Sequence, residues 1–254
     1  MLVDTHSHIY SEEYNGEIDE VIKRAVESGV EKILLPNIDS STIKRMLDVT
    51  NQYQNICYPM IGIHPTSVKD DFEEELEMVE YWLKRRKFYG IGEIGIDLYW
   101  DNTYREEQEY VFKRQLFHAN ELGLPVSIHT RDSFEVAFEL IKQGGYKNLK
   151  GVFHCFSGNV DQAKEVINSG FKIGVGGVVT FKNSGVDSML SALTPEDIVL
   201  ETDSPYLAPM PFRGKRNESS NLILILKKVA GIYDIPEQQL AEITTKTATE
   251  LFKL

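Results

Sequence analysis

The chain has 254 residues, of which 42% are hydrophobic, 26% charged and 10% aromatic, and it carries a net charge of −12. This composition excludes collagen-like, disordered and membrane-spanning proteins. The negative charge also excludes a uniformly basic nucleic-acid-binding surface, although bound divalent cations and a local basic loop can still attract phosphate.

Short apolar runs alternate with amphipathic stretches along the whole chain. Two helices are predicted at 73–87 and 103–122 from apolar residues that recur at helical spacing, and two more lie within 218–254, the last beginning near Pro236. The apolar runs that predict strands lie at 1–3, 32–36, 56–63, 89–96, 125–128, 151–153, 171–175 and 198–200. Eight strands alternating with helices predict a parallel sheet closed into a single α/β (β/α)8 TIM barrel, with one domain over residues 1–254.

Neither a secretory signal nor a membrane span is expected. Residues 1–10 contain no Lys or Arg and no apolar stretch, and the longest aliphatic run, 222–226, is far shorter than the roughly 20 residues that cross a bilayer. Two cysteines, Cys57 and Cys155, allow at most one disulfide, which favours a reducing compartment. We therefore expect a cytoplasmic monomer with no membrane partner.

Most of the predicted strands end in a side chain that can bind a metal or exchange a proton. In a TIM barrel the carboxyl ends of the strands form one rim, so these side chains are expected to converge at one mouth. Their positions are His6, His64, Glu93, His129, His154 and Asp203.

Each motif also has a plainer interpretation. His6 and His8 share a strand face and can grip one cation, but an H-x-H pair also occurs in solvated termini. Glu93 lies in an apolar run, where a carboxylate must be paired, protonated or metal-bound. His129 and His154 suit Zn, Mn or Fe, yet single histidines of this kind are often hydrogen-bonded core residues.

Other polar residues receive structural interpretations. Asp97 is interpreted as a loop or rim residue, His118 as a structural residue within a helix, and Glu201 as half of a buried structural pair. Asp203 can bind a metal or accept a proton. The loop at 211–218 contains three basic residues, Arg213, Lys215 and Arg216. They could bind phosphate if they face the metal-binding end of the barrel, and the alternative is that they are simply solvated.

Taken together, the motifs resemble the TatD family of metal-dependent deoxyribonucleases, which are amidohydrolase-like TIM barrels. The resemblance is carried, in this order, by DTHSH at 4–8, GIHP at 62–65, GEIGID at 92–97, HTR at 129–131, HCFSG at 154–158, ETDSP at 201–205 and RGKRNE at 213–218. Two departures, Thr66 where a second His often follows and Ser219 where Pro is common, bear on substrate fit and not on the metal ligands.

The resemblance implies a centre with two divalent cations. His6, His8 and Asp203 would hold one, His129 and His154 the other, and Glu93 would bridge them. His64 would face the substrate phosphate, and Arg131 falls within one of the matching motifs. Tyr99 and Trp100 could stack on a base. The metal could be Zn, Mn, Mg, Ni or Fe.

The predicted activity is therefore hydrolysis of DNA phosphodiesters, from the 3′ end of single-stranded or frayed DNA. Asp203, Glu93 and His64 are the predicted catalytic residues, and substrate is predicted to contact His64, Arg131 and the bases of the 211–218 loop. Two alternatives stay open. One is another hydrolase on the same barrel, acting on a small amide, lactone or phosphoester; the other is a barrel that binds metal or nucleic acid without turnover.

Overall fold

Eight strands form the centre of the molecule in the computed structural model, which describes residues 1–254. Every strand is parallel to its hydrogen-bonded neighbours, in two sheets of order β1-β2-β3 and β4-β5-β6-β7-β8. The strands are β1 (Leu2–Asp4), β2 (Val30–Leu35), β3 (Cys57–Pro59), β4 (Ile91–Asp97), β5 (Val126–Arg131), β6 (Gly151–Phe153), β7 (Lys172–Val175) and β8 (Ile198–Leu200).

Backbone contacts at two seams close these sheets into a barrel. Beyond β3, Ile61 forms a parallel bridge with Ile91 of β4. At the other seam the Thr5 amide donates to the Leu200 carbonyl oxygen at 3.1 Å, and Ser7 forms a parallel bridge with Ser204. The fold is therefore the predicted (β/α)8 barrel, and all eight predicted strands are present.

Helices connect the strands and cover the outside of the barrel. They are α1 (Ile18–Glu27), α2 (Ser40–Gln52), α3 (Phe72–Leu83), α4 (Arg105–Leu122), α5 (Phe134–Gln143), α6 (Val160–Asn168), α7 (Val186–Leu190), α8 (Leu222–Tyr233) and α9 (Glu237–Phe252). The helix predicted at 73–87 ends at Leu83, because the four bases that follow add no apolar residue to its buried face. No helix combines the length and the apolar character that crossing a lipid bilayer requires.

The amino-terminal end of the barrel is filled by apolar side chains. Val3 and Leu34 from the strands pack with Leu251 and Phe252 of α9 in one buried cluster. The Thr245 hydroxyl of the same helix donates to the Met1 carbonyl oxygen at 3.0 Å. Because α9 covers this end of the barrel, the accessible end is the opposite one, where the carboxyl ends of the strands lie.

Candidate active site

His6 and His8 lie immediately beyond β1 and are both buried. Their Nε2 atoms are 3.1 Å apart, and the Asp203 Oδ1 atom lies 3.8 Å from the first and 3.7 Å from the second. Asp203 follows β8 with a φ of 56°, a left-handed conformation that Asp adopts more readily than most residues. Its amide donates to the His6 carbonyl oxygen at 2.9 Å, which ties the two strand ends together.

Glu93 stands between two groups of histidines. Its Oε2 atom lies 3.1 Å from His6 Nε2 and 3.4 Å from His8 Nε2. Its Oε1 atom lies 3.0 Å from His129 Nδ1 and 2.8 Å from His154 Nε2. One carboxylate therefore presents a separate oxygen to each group, which is the arrangement of a bridging ligand.

The close approach of β4 and β5 depends on a glycine. Gly95 has a φ of 146°, and a Cβ atom there would collide with the His129 carbonyl oxygen. Only glycine adopts this backbone conformation readily and leaves room for the neighbouring strand. Gly95 therefore allows Glu93 of β4 and His129 of β5 to meet inside the barrel.

Two histidines are oriented by partners on their second ring nitrogen. Tyr10 donates its only hydroxyl proton to the Pro36 carbonyl oxygen at 2.6 Å, so its oxygen accepts from His8 Nδ1 at 3.0 Å. Asp97 accepts from His129 Nε2 at 2.9 Å. These partners hold a proton on the outer nitrogen of each ring, so that the inner nitrogen of the neutral ring can offer its lone pair to a bound cation.

The other two rings are held less tightly. His6 Nδ1 contacts the Ser127 hydroxyl at 3.0 Å. His154 Nδ1 lies 3.7 Å from the Glu201 carboxylate, which accepts a hydrogen bond from the Cys155 amide, and it has no hydrogen-bond partner. Glu201 is fully buried, and its interpretation as half of a structural pair stays a prediction.

The donor set fits divalent cations. Imidazole and carboxylate together suit Zn, Mn and Fe. Three overlapping groups have their ligand atoms within 4.8 Å of one another: His6, His8 and Asp203; His6, Glu93 and His154; and His64, Glu93 and His129. Because His8 Nδ1 donates to Tyr10, His8 Nε2 carries a lone pair in the neutral ring, and this atom lies 3.1 Å from His6 Nε2. A cation bound by both nitrogens would stabilise this contact.

Burial and mutual charge set the protonation of the centre. Burial raises the pKa of Asp203 to about 6, against the lowering effect of His154 and His8. Burial also acts to raise the pKa of Glu93, but His154, His64 and His6 outweigh it and lower that pKa well below its usual range. Glu93 is therefore ionised, while Asp203 can exchange a proton near neutral pH.

A cavity of about 630 Å³ opens above these residues. This volume lies in the range of small-ligand sites. His64 lies in the cavity wall with its Nε2 atom 3.4 Å from Glu93 Oε1, and burial lowers the pKa of its ring. Arg131 is the only Lys or Arg in the wall, and its guanidinium stacks over the Tyr99 ring at 3.9 Å, with Trp100 beside it.

The three bases of the 211–218 loop do not line this cavity. Arg216 is held by Glu17 at 2.7 Å and Glu218 at 3.1 Å. The Arg213 guanidinium lies 4.5 Å from the centre of the Phe181 ring, and Lys215 Nζ lies 5.9 Å from that of Phe212. The expected phosphate-clamp role of this loop stays a prediction, and Arg216 already has two carboxylate partners.

The structure brings all six predicted metal ligands together, and it adds residues that the sequence interpretation missed. Asp97, expected at a loop or rim, is buried and holds His129. Ser127 precedes His129 by two positions on β5, and Tyr10 follows His8 by two. A polar residue two positions from a candidate ligand shares its strand face, which is the signal that could have found Ser127.

His118 does not line the cavity. It contacts Glu80 of α3 at 2.9 Å, a contact between two helices, and it was interpreted from the sequence as a structural residue.

Comparison with known proteins agrees with this geometry. The family model described as TatD related DNase matches residues 3–253. The chain belongs to the TatD family. It is 37% identical to the uncharacterized metal-dependent hydrolase YabD of Bacillus subtilis, over the full length of both proteins.

Solved structures show the same barrel. The crystal structure of YjjV, a TatD homolog from Escherichia coli, superposes with a TM-score of 0.94 at 28% identity, covering 100% of this chain and 98% of that one. An uncharacterized amidohydrolase from Saccharomyces cerevisiae, 16% identical, shares the fold with a TM-score of 0.84, covering 98% and 99%. This TatD-family chain is a metal-dependent hydrolase with a candidate His and carboxylate metal cluster at the strand ends.

Proposed function

We propose that this protein is a deoxyribonuclease that removes nucleotides from the 3′ end of single-stranded or frayed DNA, with two divalent cations in the cavity. The observation that carries the proposal is Glu93, whose two oxygens face two separate groups of imidazole nitrogens. His6, His8 and Asp203 would hold one cation, His129 and His154 the other, and Glu93 would bridge them. Bound cations of this kind polarise a phosphoryl oxygen and lower the pKa of a water molecule.

Asp203 is the proposed proton acceptor. Burial raises the pKa of this carboxyl to about 6 in the metal-free chain, so it is more basic than an ordinary aspartate, which suits a group that takes a proton from an attacking water. The position of Oδ1, within 4 Å of both His6 and His8, places that basic oxygen beside the cluster. Asp203 would thus orient the water and hold its proton until the product leaves.

The cavity wall supports a phosphodiester substrate over a neutral one. Arg131 offers a planar cation that can bind two phosphate oxygens at once, and its guanidinium lies 3.9 Å from the centre of the Tyr99 ring. Trp100 is 67% exposed at the same edge, where a base could stack on it. The cavity of about 630 Å³ lies in the size range of small-ligand sites, which is consistent with entry of a single strand end.

Digestion of labelled DNA by the metal-loaded protein tests this proposal. The substrates would be a 5′-end-labelled single strand, the same strand in a blunt duplex, and a circular single strand, with Mn²⁺ or Zn²⁺ restored after chelation. We expect a ladder that shortens from the 3′ end of the linear strand, slower digestion of the duplex, and no cleavage of the circle.

The matched control is the Asp203→Asn variant, which keeps the shape of the side chain and removes its basic oxygen. A parallel panel of ester, lactone and amide substrates tests the alternative activity on the same barrel. Hydrolysis within that panel, with DNA left intact, would contradict the deoxyribonuclease proposal and favour a small-molecule hydrolase.

A further inference from the structure

His64 differs from the other histidines around the cavity in the partner of its outer ring nitrogen. It begins a 3₁₀ turn at Pro65–Ser67, and its Nδ1 atom accepts a hydrogen bond from the Thr66 backbone amide at 3.2 Å. The Thr66 hydroxyl lies 2.7 Å from the same nitrogen and has no other hydrogen-bond partner. A backbone amide can only donate, so Nδ1 must present a lone pair.

The consequence is a reversed tautomer. In neutral imidazole one nitrogen carries the proton and the other the lone pair. Because Nδ1 accepts, the proton of His64 is on Nε2, the atom that faces the cavity and lies 3.4 Å from Glu93 Oε1. In His8 and His129 the outer nitrogens donate to Tyr10 and Asp97, so in the neutral rings the cavity-facing nitrogens are the ones that can offer lone pairs to a cation.

We infer that Thr66 is a positioning residue that fixes His64 as an N–H donor into the cavity, so that His64 contacts an anionic oxygen of the substrate and does not ligate metal. Distance alone leaves this open, because His64, Glu93 and His129 also form a group with metal-ligand spacing. The direction of the Thr66 amide decides it, and the Thr66 hydroxyl, 2.7 Å from the same nitrogen, adds a second donor that favours the same tautomer. The donor role towards a phosphate oxygen rests on the proposed function, whereas the tautomer and the absence of ligation do not.

Nitrogen NMR of the ¹⁵N-histidine-labelled protein reads the tautomer directly. The His64 signals are identified by their loss in a His64→Gln variant. We expect a neutral ring with the proton on Nε2 in the metal-free protein. On addition of Zn²⁺, the cavity-facing nitrogens of His8 and His129 should show coordination, while His64 keeps its N–H. A proton on Nδ1, or coordination of Zn²⁺ by His64, would overturn the inference.

Metal content and phosphate affinity separate a donor from a ligand. His64→Leu should retain the full zinc complement, whereas the matched variant His129→Leu, which changes a neighbouring ring 4.6 Å away, should lose zinc. Inorganic phosphate is the probe for the donor role. Its affinity for the zinc-loaded His64→Leu variant should fall about 10-fold or more, the range for a hydrogen bond to a charged group. Loss of zinc from His64→Leu at the level of His129→Leu would contradict the inference.

Two substitutions at Thr66 test the positioning role. Thr66→Val removes the hydroxyl and keeps the shape, and it should weaken phosphate binding roughly 3- to 10-fold, as for one neutral hydrogen bond, and increase the Nδ1-protonated fraction of His64. Thr66→Ser restores the hydroxyl and should restore both readouts. If Thr66→Val matches the wild type in both, the inference that the Thr66 side chain positions His64 is wrong. None of these measurements needs DNA hydrolysis, so failure of the deoxyribonuclease proposal is seen separately.

Discussion

The strand-end cluster, which is the group of six predicted metal ligands around Glu93, and the 211–218 loop both contain charged residues that suggest a functional site. The two regions differ in what these side chains contact. In the cluster, Glu93 contacts histidines from four different strand ends at 3.4 Å or less. In the loop, Arg216 contacts Glu17 and Glu218, and none of the three bases reaches the cavity wall. The topology of the barrel fixes the positions of the strand ends, whereas the position of a loop depends on the particular side chains that it contacts.

The largest effect is expected from Glu93→Gln, which removes the shared anionic ligand and keeps its size. Loss of a bridging charge removes several kcal/mol of stabilisation, so we expect hydrolysis to fall about a thousandfold or more and zinc content to fall with it. Steady-state rates and elemental analysis check both. The exposed Glu196→Gln variant is the control, and a Glu93 variant with equal zinc and rate would contradict the bridging role.

Asp203→Asn tests the proton acceptor within the same cluster. The amide cannot accept the proton of an attacking water, so we expect turnover to fall about a hundredfold or more while the fold and part of the metal are retained. Single-turnover rates beside circular dichroism and metal analysis separate these effects. A nearly normal rate would show that Asp203 is a spare ligand.

Asp97→Asn tests the support of His129. Asp97 accepts from His129 on one oxygen and from the amides of Tyr99 and Trp100 on the other, and an amide cannot accept on both sides. Loss of such an outer partner typically costs 10–100-fold in metal affinity or activity, and we expect a change of about that size in zinc affinity. Zinc competition with a chelator measures it. Unchanged affinity would mean that packing alone orients the ring.

The two regions can be compared by measuring how binding to single-stranded DNA depends on salt in two variants, one at Arg131 in the cavity wall and one at Arg216 in the loop. A side chain that neutralises a phosphate contributes about 0.7 to the log–log salt slope. Arg131→Ala, in the cavity wall, should flatten the slope by about that amount. Arg216→Ala should leave it nearly unchanged, because Glu17 and Glu218 already neutralise that guanidinium. Equal flattening by the two variants would show that the loop reaches DNA after all.

The smallest effect concerns the pH dependence of stability at the loop. The hydrogen bond and charge of Arg216 lower the pKa of Glu17 from its ordinary value of 4.5. A lowered folded-state pKa stabilises the fold above pH 4.5, and this contribution disappears as the pH falls through the lowered value. Wild type should therefore exceed Arg216→Ala in denaturant midpoint at pH 7, and the difference should shrink in acid. A difference that persists unchanged at pH 3 would instead be due to packing of the Arg216 guanidinium on the Tyr14 ring, whose centre is 4.8 Å away.

The barrel and the ligand cluster could be predicted because each depends on regular placement along the chain. Apolar runs spaced by helices define the strands, and the residue after each run defines the rim, so Glu93 and His154 meet although 61 positions separate them. The position of Arg216 depends on Glu17, which is 199 positions away in the sequence, and no strand or helix periodicity indicates such a contact. Asp97 was missed because its burial follows from the course of β4 beyond Glu93.

The most direct test of the two-cation centre is anomalous diffraction at the zinc edge from crystals of the zinc-loaded protein. The geometry predicts two peaks about 3.5–4 Å apart, the usual spacing of two-metal sites. One peak should lie between His6, His8 and Asp203, the other beside His129 and His154, with Glu93 contacting both. A single peak, or zinc bound by His64 in place of His154, would contradict the account.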